Sequence, residues 1–182
     1  MYLSEYTSKI IKLVENFDEQ QLQDAFRLIR NAESQNGKLI VAGNGGSAAM
    51  ASHVSVDFLK AAHIRCMNFN EADLITCFAN DFGFDRWIEK AVNFYGGEGD
   101  VLIAISSSGS SENVVNGVKA AREGNFSAVV TLSGFHKDNV LRSLGDVNLW
   151  VDSKAYNFVE NIHQIWLLAI VDLVIGKREY SA

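Results

Sequence analysis

Apolar residues recur at helical spacing through the first 35 positions, at Leu3, Tyr6, Ile10, Ile11, Leu13 and Val14 and again at Leu22, Phe26, Leu28 and Ile29, which predicts two amphipathic helices. From Lys38 the pattern changes to short apolar runs alternating with helix-length segments. The runs KLIVA, residues 64–69, VLIAI at 101–105, SAVVTL and VNLWV read as five strands. Between them, helical stretches are predicted near 47–60, 71–79, 84–95, 111–123 and 138–144, and a long helix from about Tyr156. Such alternation predicts an α/β fold, a parallel sheet with helices on both faces. The last segment, FVENIHQIWLLAIVDLVI, is apolar around most of its circumference and is expected to be buried on several sides, in part by a second copy.

Two strand-to-helix junctions carry the polar chemistry. In the first, Gly43, Asn44, Gly45, Gly46 and Ser47 follow KLIVA, a turn whose glycines let successive amides point at an anion where a helix begins. In the second, VLIAI runs directly into Ser106, Ser107, Ser108, Gly109, Ser110 and Ser111. Neither loop has the lysine of a Walker loop or the spacing of a dinucleotide fingerprint, which disfavours nucleotide hydrolysis and NAD binding. In sheets of this kind ligands bind beyond the carboxyl ends of the strands, where both loops emerge. Together they predict one polar ligand, and hydroxyls suit a sugar phosphate.

At 182 residues the chain fits one domain, two N-terminal helices over 1–36 and an α/β core over 37–182. A formal net charge of −6 and the lack of a basic cluster argue against direct binding to nucleic acid or a membrane surface. The N-terminus lacks a secretory profile, so a cytoplasmic location is expected. Cys66 and Cys77 have no metal-ligand spacing and are expected to be inert core thiols, as Trp87, Trp150 and Trp166 are expected to pack in the core or an interface.

The segments GNGGSAAMASH at 43–53, FANDFGF at 78–84, GDVLIAISSSGSSENVVNGVKAAREG at 99–124 and TLSG at 131–134 resemble the sugar isomerase (SIS) domain, and within it the phosphoheptose isomerases. The resemblance covers nearly the whole chain. It implies a flavodoxin-like three-layer sandwich and a homotetramer with active sites at subunit interfaces. By the same resemblance Asn44, Gly45, Gly46 and Ser47 contact a sugar phosphate, Asn80 and Asp81 meet the sugar chain, and Ser106, Ser107, Ser108 and Ser111 cradle the phosphate.

Aldose–ketose isomerisation needs a base to move a proton between adjacent carbons, and an acid or metal to manage the oxygens. The family's base is a glutamate four residues after a histidine; His53 matches that histidine and Asp57 stands in the glutamate's place, both on one helix face. Three further positions depart from the family. Asn157 replaces an aspartate, Glu160 replaces a glutamine, and Leu168 replaces the histidine that completes the acid–base set. Leu168 cannot transfer a proton. The remaining His53, Asp57 and Glu160 are a candidate site for Zn²⁺ or Mn²⁺, and Glu160 is alternatively a substitute acid. His163, one turn after Glu160, is read as a structural partner.

Two functions follow. One is a phosphosugar isomerase converting sedoheptulose 7-phosphate or a related ketose phosphate, feeding lipopolysaccharide or capsule synthesis. The other is a phosphosugar-binding sensor or interaction protein that has lost turnover, for which the missing histidine speaks.

Overall fold

A computed structural model describes residues 1–179. Five parallel strands form one sheet: β1 (Leu39–Gly43), β2 (Cys66–Asn68), β3 (Val101–Ser106), β4 (Ala128–Ser133) and β5 (Val147–Trp150). They lie in the order β2-β1-β3-β4-β5. The central strands β1, β3 and β4 are buried along their whole length, as their unbroken apolar runs require of a sheet covered on both sides.

Helices α1 (Tyr2–Glu15), α2 (Glu19–Ser34), α3 (Gly46–Lys60), α4 (Ala72–Phe82), α5 (Trp87–Tyr95), α6 (Glu112–Glu123) and α7 (Tyr156–Ile175) complete the chain. One core joins α2, α3 and α7 to the faces of β1, β3, β4 and β5 that carry Leu39, Ile103, Val130 and Leu149. The other joins α4, α5 and α6 to the opposite faces, which carry Ile40, Leu102 and Val129. The arrangement is the flavodoxin-like three-layer sandwich.

The expected elements all form, with local differences. Residues 138–144 make only a single 3₁₀ turn, Leu141–Ser143. Cys77 is exposed on α4 and is no core thiol, while burial pushes the Cys66 thiol up to about 12. Trp87 and Trp166 are core residues and Trp150 is half-buried. The α7 helix is long and apolar enough to cross a membrane, yet Val159, Ile162, Trp166, Leu167 and Ile170 are all buried in the sheet-side core. Its outer side, with Tyr156 and Ile165, is exposed in the single chain. Helix α1 buries no residue at all and packs chiefly on α7.

The sheet is tied together at the end remote from the serine loops by Asp100. Its buried carboxylate accepts from the Lys38 amide at 2.9 Å and the Gly97 amide at 3.0 Å and pairs with the Lys38 ammonium, joining the starts of β1 and β3. Asp100→Ala strands those donors and is expected to cost about 2–4 kcal/mol, read by urea unfolding; a loss below about 0.5 kcal/mol would contradict this account.

His163 is fully buried between α7 and β4, its Nε2–H donating to the Ser133 carbonyl at 3.1 Å while Nδ1 has no partner. Burial lowers its pKa from 6.5 to about 4. The unfolded imidazole therefore takes up a proton that the folded one refuses. Stability is expected to fall by roughly 1 kcal/mol per pH unit as pH drops through the window from 6.5 to about 4, and His163 adds no slope above it. His163→Gln should flatten that part of the acid-unfolding curve; an unchanged slope would remove His163 as the cause.

Candidate active site

The strand order reverses between β1 and β3, whose carboxyl ends lie side by side, with Gly43 opposite Ile105. The two polar loops leave the sheet there and are locked to each other. Asn44 and Asn113 exchange amide hydrogen bonds in both directions, Nδ2 to Oδ1 at 2.9 Å and 3.1 Å. Asn113 is buried on the first turn of α6, so this pair fixes the spacing between the start of α3 and the start of α6.

The serine loop is braced from below. The Gly134 amide donates to the Ser107 carbonyl at 2.9 Å, the Leu141 amide donates to the Gly109 carbonyl at 2.9 Å, and Asn139 packs under Gly109. Gly109 has φ +65°, and a Cβ there would lie 1.9 Å from Asn139 Oδ1, so only glycine fits. Asn139 is itself held by donating to the Ser133 hydroxyl and the His136 carbonyl.

Between the loops lies a cavity of about 140 Å³ lined by Asn44, Ser47, Ser106, Ser107, Ser108, Ser111, Tyr156 and Glu160. Six of the ten residues expected to bind substrate are therefore brought together, with Gly45 and Gly46 forming the turn between Asn44 and Ser47. Neither α3, whose N-cap is Gly45, nor α6, whose N-cap is Ser111, has a side-chain cap hydrogen bond. Two helix starts with uncapped amides thus face a nest of hydroxyls, an arrangement suited to an anion. Ser106 donates to the Ser111 hydroxyl at 3.0 Å, which orients both.

Helices α3 and α7 run alongside each other in the same direction. Glu160 lies over Gly46, Gln164 reaches His53, and Asp172 faces Asp57. Along α3 the residues Gly46, His53 and Asp57 fall within about 20° of one face. His53 and Asp57 form the expected pair, Nε2 to Oδ2 at 3.2 Å, and Gln164 Nε2 approaches His53 Nδ1 at 3.4 Å. Burial, and then the Asp57 charge, raise the Asp172 carboxyl above the usual carboxylate range. Leu168 is partly buried and packs on the core.

Two expected groupings do not form within the chain. Asn80 and Asp81 are exposed at the end of α4, bonded to each other at 2.8 Å and absent from the cavity wall. No three His, Cys, Asp or Glu side chains gather as a metal site among the described residues. Glu160 stands opposite Gly46, seven residues and so about 10 Å before His53 along α3, which separates it from the His53–Asp57 pair. The set His53, Asp57 and Glu160 therefore does not fit a metal here. Asn113, Tyr156, Gln164 and Asp172 were not singled out from sequence. Gln164 was open to it, standing one turn (i+4) after Glu160, whereas the Asn44 partner of Asn113 is 69 residues away.

A family model described as the SIS domain matches residues 2–134. The chain is 36% identical over 171 residues to the phosphoheptose isomerase of Bordetella avium, covering 87% of this chain and 86% of that one. It is 30% identical to that of Fusobacterium nucleatum, over 88% and 85% of the two chains. The structure of phosphoheptose isomerase GmhA from Neisseria gonorrhoeae superimposes with a TM-score of 0.87 at 28% identity, over 95% of this chain and 97% of that one. With fold and relatives in agreement over most of its length, the chain belongs to the SIS domain family, on its phosphoheptose isomerase branch.

Proposed function

We propose that the protein is an aldose–ketose isomerase of a phosphorylated sugar, with sedoheptulose 7-phosphate and its aldose isomer as the substrate pair. The observation that carries the reading is the placement of a hydroxyl-lined anion seat and a His–carboxylate pair on one face of α3. Gly46 and His53 are about 10 Å apart along the helix axis. A seven-carbon sugar phosphate, extended at about 1.25 Å per bond along the chain, spans a similar length from phosphorus to carbon 1. With its phosphate in the seat, its reacting carbons come level with His53 and Asp57.

The chemistry follows from that alignment. The Asp57 carboxylate takes the proton from the carbon beside the carbonyl while the carbonyl oxygen gains one, giving an enediol. The Asp57 carboxyl, whose proton exchanges with solvent, then protonates the former carbonyl carbon as the neighbouring hydroxyl loses its proton. His53, whose Nε2 faces Asp57, orients the carboxylate and moves protons on the two oxygens. The shorter aspartate acts from further back than a glutamate, and misplacement of about 1 Å can cost about a hundredfold in rate. A slow enzyme is the expectation.

Asn80 and Asp81, exposed on α4, are assigned to the site of a neighbouring copy in a homotetramer with shared active sites. The uncovered apolar residues of α1 support assembly. A cytoplasmic location and a role in supplying heptose for lipopolysaccharide or capsule belong to the same reading. Leu168, in the place of the family's second acid–base group, favours the alternative, binding without turnover.

The two are separated by incubating the protein with sedoheptulose 7-phosphate in D₂O and following deuterium at carbons 1 and 2 by NMR. Incorporation is expected, falling at least about a hundredfold in Asp57→Asn, whereas Ser107→Ala or Ser111→Ala chiefly raises KM. Saturable binding with no incorporation would establish the binding function.

A further inference from the structure

We infer that Glu160 is the residue that sets the charge selectivity of the anion seat, its carboxylate standing in the place a phosphate would take. The inference rests on the seat being the phosphate site of the proposed function. A Cβ built on Gly46 would lie 2.8 Å from the Glu160 carboxyl carbon and 2.8 Å from each of its oxygens, so the whole carboxylate is laid against the first residue of α3. It lines the same cavity as Asn44, Ser47 and Ser106. No hydrogen bond or ion pair satisfies it among the described residues, although it is half-buried.

The charge balance of the cavity gives this placement its consequence. None of its lining residues is a lysine or arginine, so the positive potential comes only from the two helix starts and the polarity of hydroxyls and amides. That field equals about half an elementary charge per helix. A phosphate dianion entering beside Glu160 brings the local charge to about −3 against it, in a space that holds little water. The carboxylate must swing out on the flexible Glu side chain before a dianion is seated. Glu160 thereby weakens phosphate binding, restricts occupancy to ligands whose sugar portion makes further contacts along α3, and keeps free inorganic phosphate out.

The test is calorimetric binding of inorganic phosphate at pH 8, where it is a dianion, to the full-length wild-type protein and to Glu160→Gln, Glu160→Ala and Glu160→Asp. Glu160→Gln, which keeps the shape without the charge, is expected to bind phosphate at least tenfold more tightly than wild type. Glu160→Ala should move in the same direction, and Glu160→Asp, which keeps the charge, should stay weak. A second reading comes from thermal unfolding, in which Glu160→Gln loses melting temperature in phosphate-free buffer, as the helix start loses its anion, and gains more than wild type when phosphate is added. Equal or weaker phosphate binding by Glu160→Gln, with sedoheptulose 7-phosphate still bound, overturns the inference and leaves the seat intact. Absence of binding of either ligand by every variant overturns the seat itself.

Discussion

The site depends on one reciprocal contact, the pair of amide hydrogen bonds between Asn44 and Asn113. A parallel sheet places the ends of β1 and β3 side by side but does not fix the loops that leave them. Two side-chain amides, one at the turn after β1 and one on the first turn of α6, satisfy each other and remove that freedom. Such a pair, with Asn113 buried and Asn44 half-buried, holds its partners more firmly than one bond would, because separating it breaks two hydrogen bonds at once. The cavity between the loops has its size because this contact has its length.

Around that clamp, charge is distributed unevenly. The cavity end offers helix starts, hydroxyls and a single carboxylate, while at the far end of the α3–α7 face burial and then the Asp57 charge disfavour ionisation of Asp172. With Leu168 apolar, the α3–α7 face carries the three carboxylates of Asp57, Glu160 and Asp172 beside His53.

Much of the fold was open to reading in advance, because the buried strands are uninterrupted apolar runs and the helices around them keep a 3.6-residue period. The loops were likewise recognisable, since glycine and serine clustered after a strand leave few physical alternatives. The misreadings have identifiable causes. Residues 138–144 have helical composition, but Asn139 spends its side chain on Ser133, Gly134 and His136, and the chain follows it into a 3₁₀ turn. Cys77 was assigned to the core from residue type alone, and α4 turns that side outward. The candidate metal set grouped residues by chemistry, whereas the register between α3 and α7, a tertiary quantity, sends Glu160 to the turn and leaves His53 and Asp57 about two and three helical turns away.

Carrying both the turn that lines the cavity and the His53–Asp57 pair on the single rod of α3 also limits how such a site can change. Each residue added to the helix advances the pair by about 1.5 Å but turns it through about 100°. Intermediate lengths would point His53 and Asp57 into the sheet or out toward the solvent side, and only steps near whole turns return them to the cavity face. The reach of the site along a sugar is therefore quantised by helical phase. Lineages that handle shorter or longer ligands must reshape the loops or the opposing helix, because α3 itself cannot be tuned by small insertions.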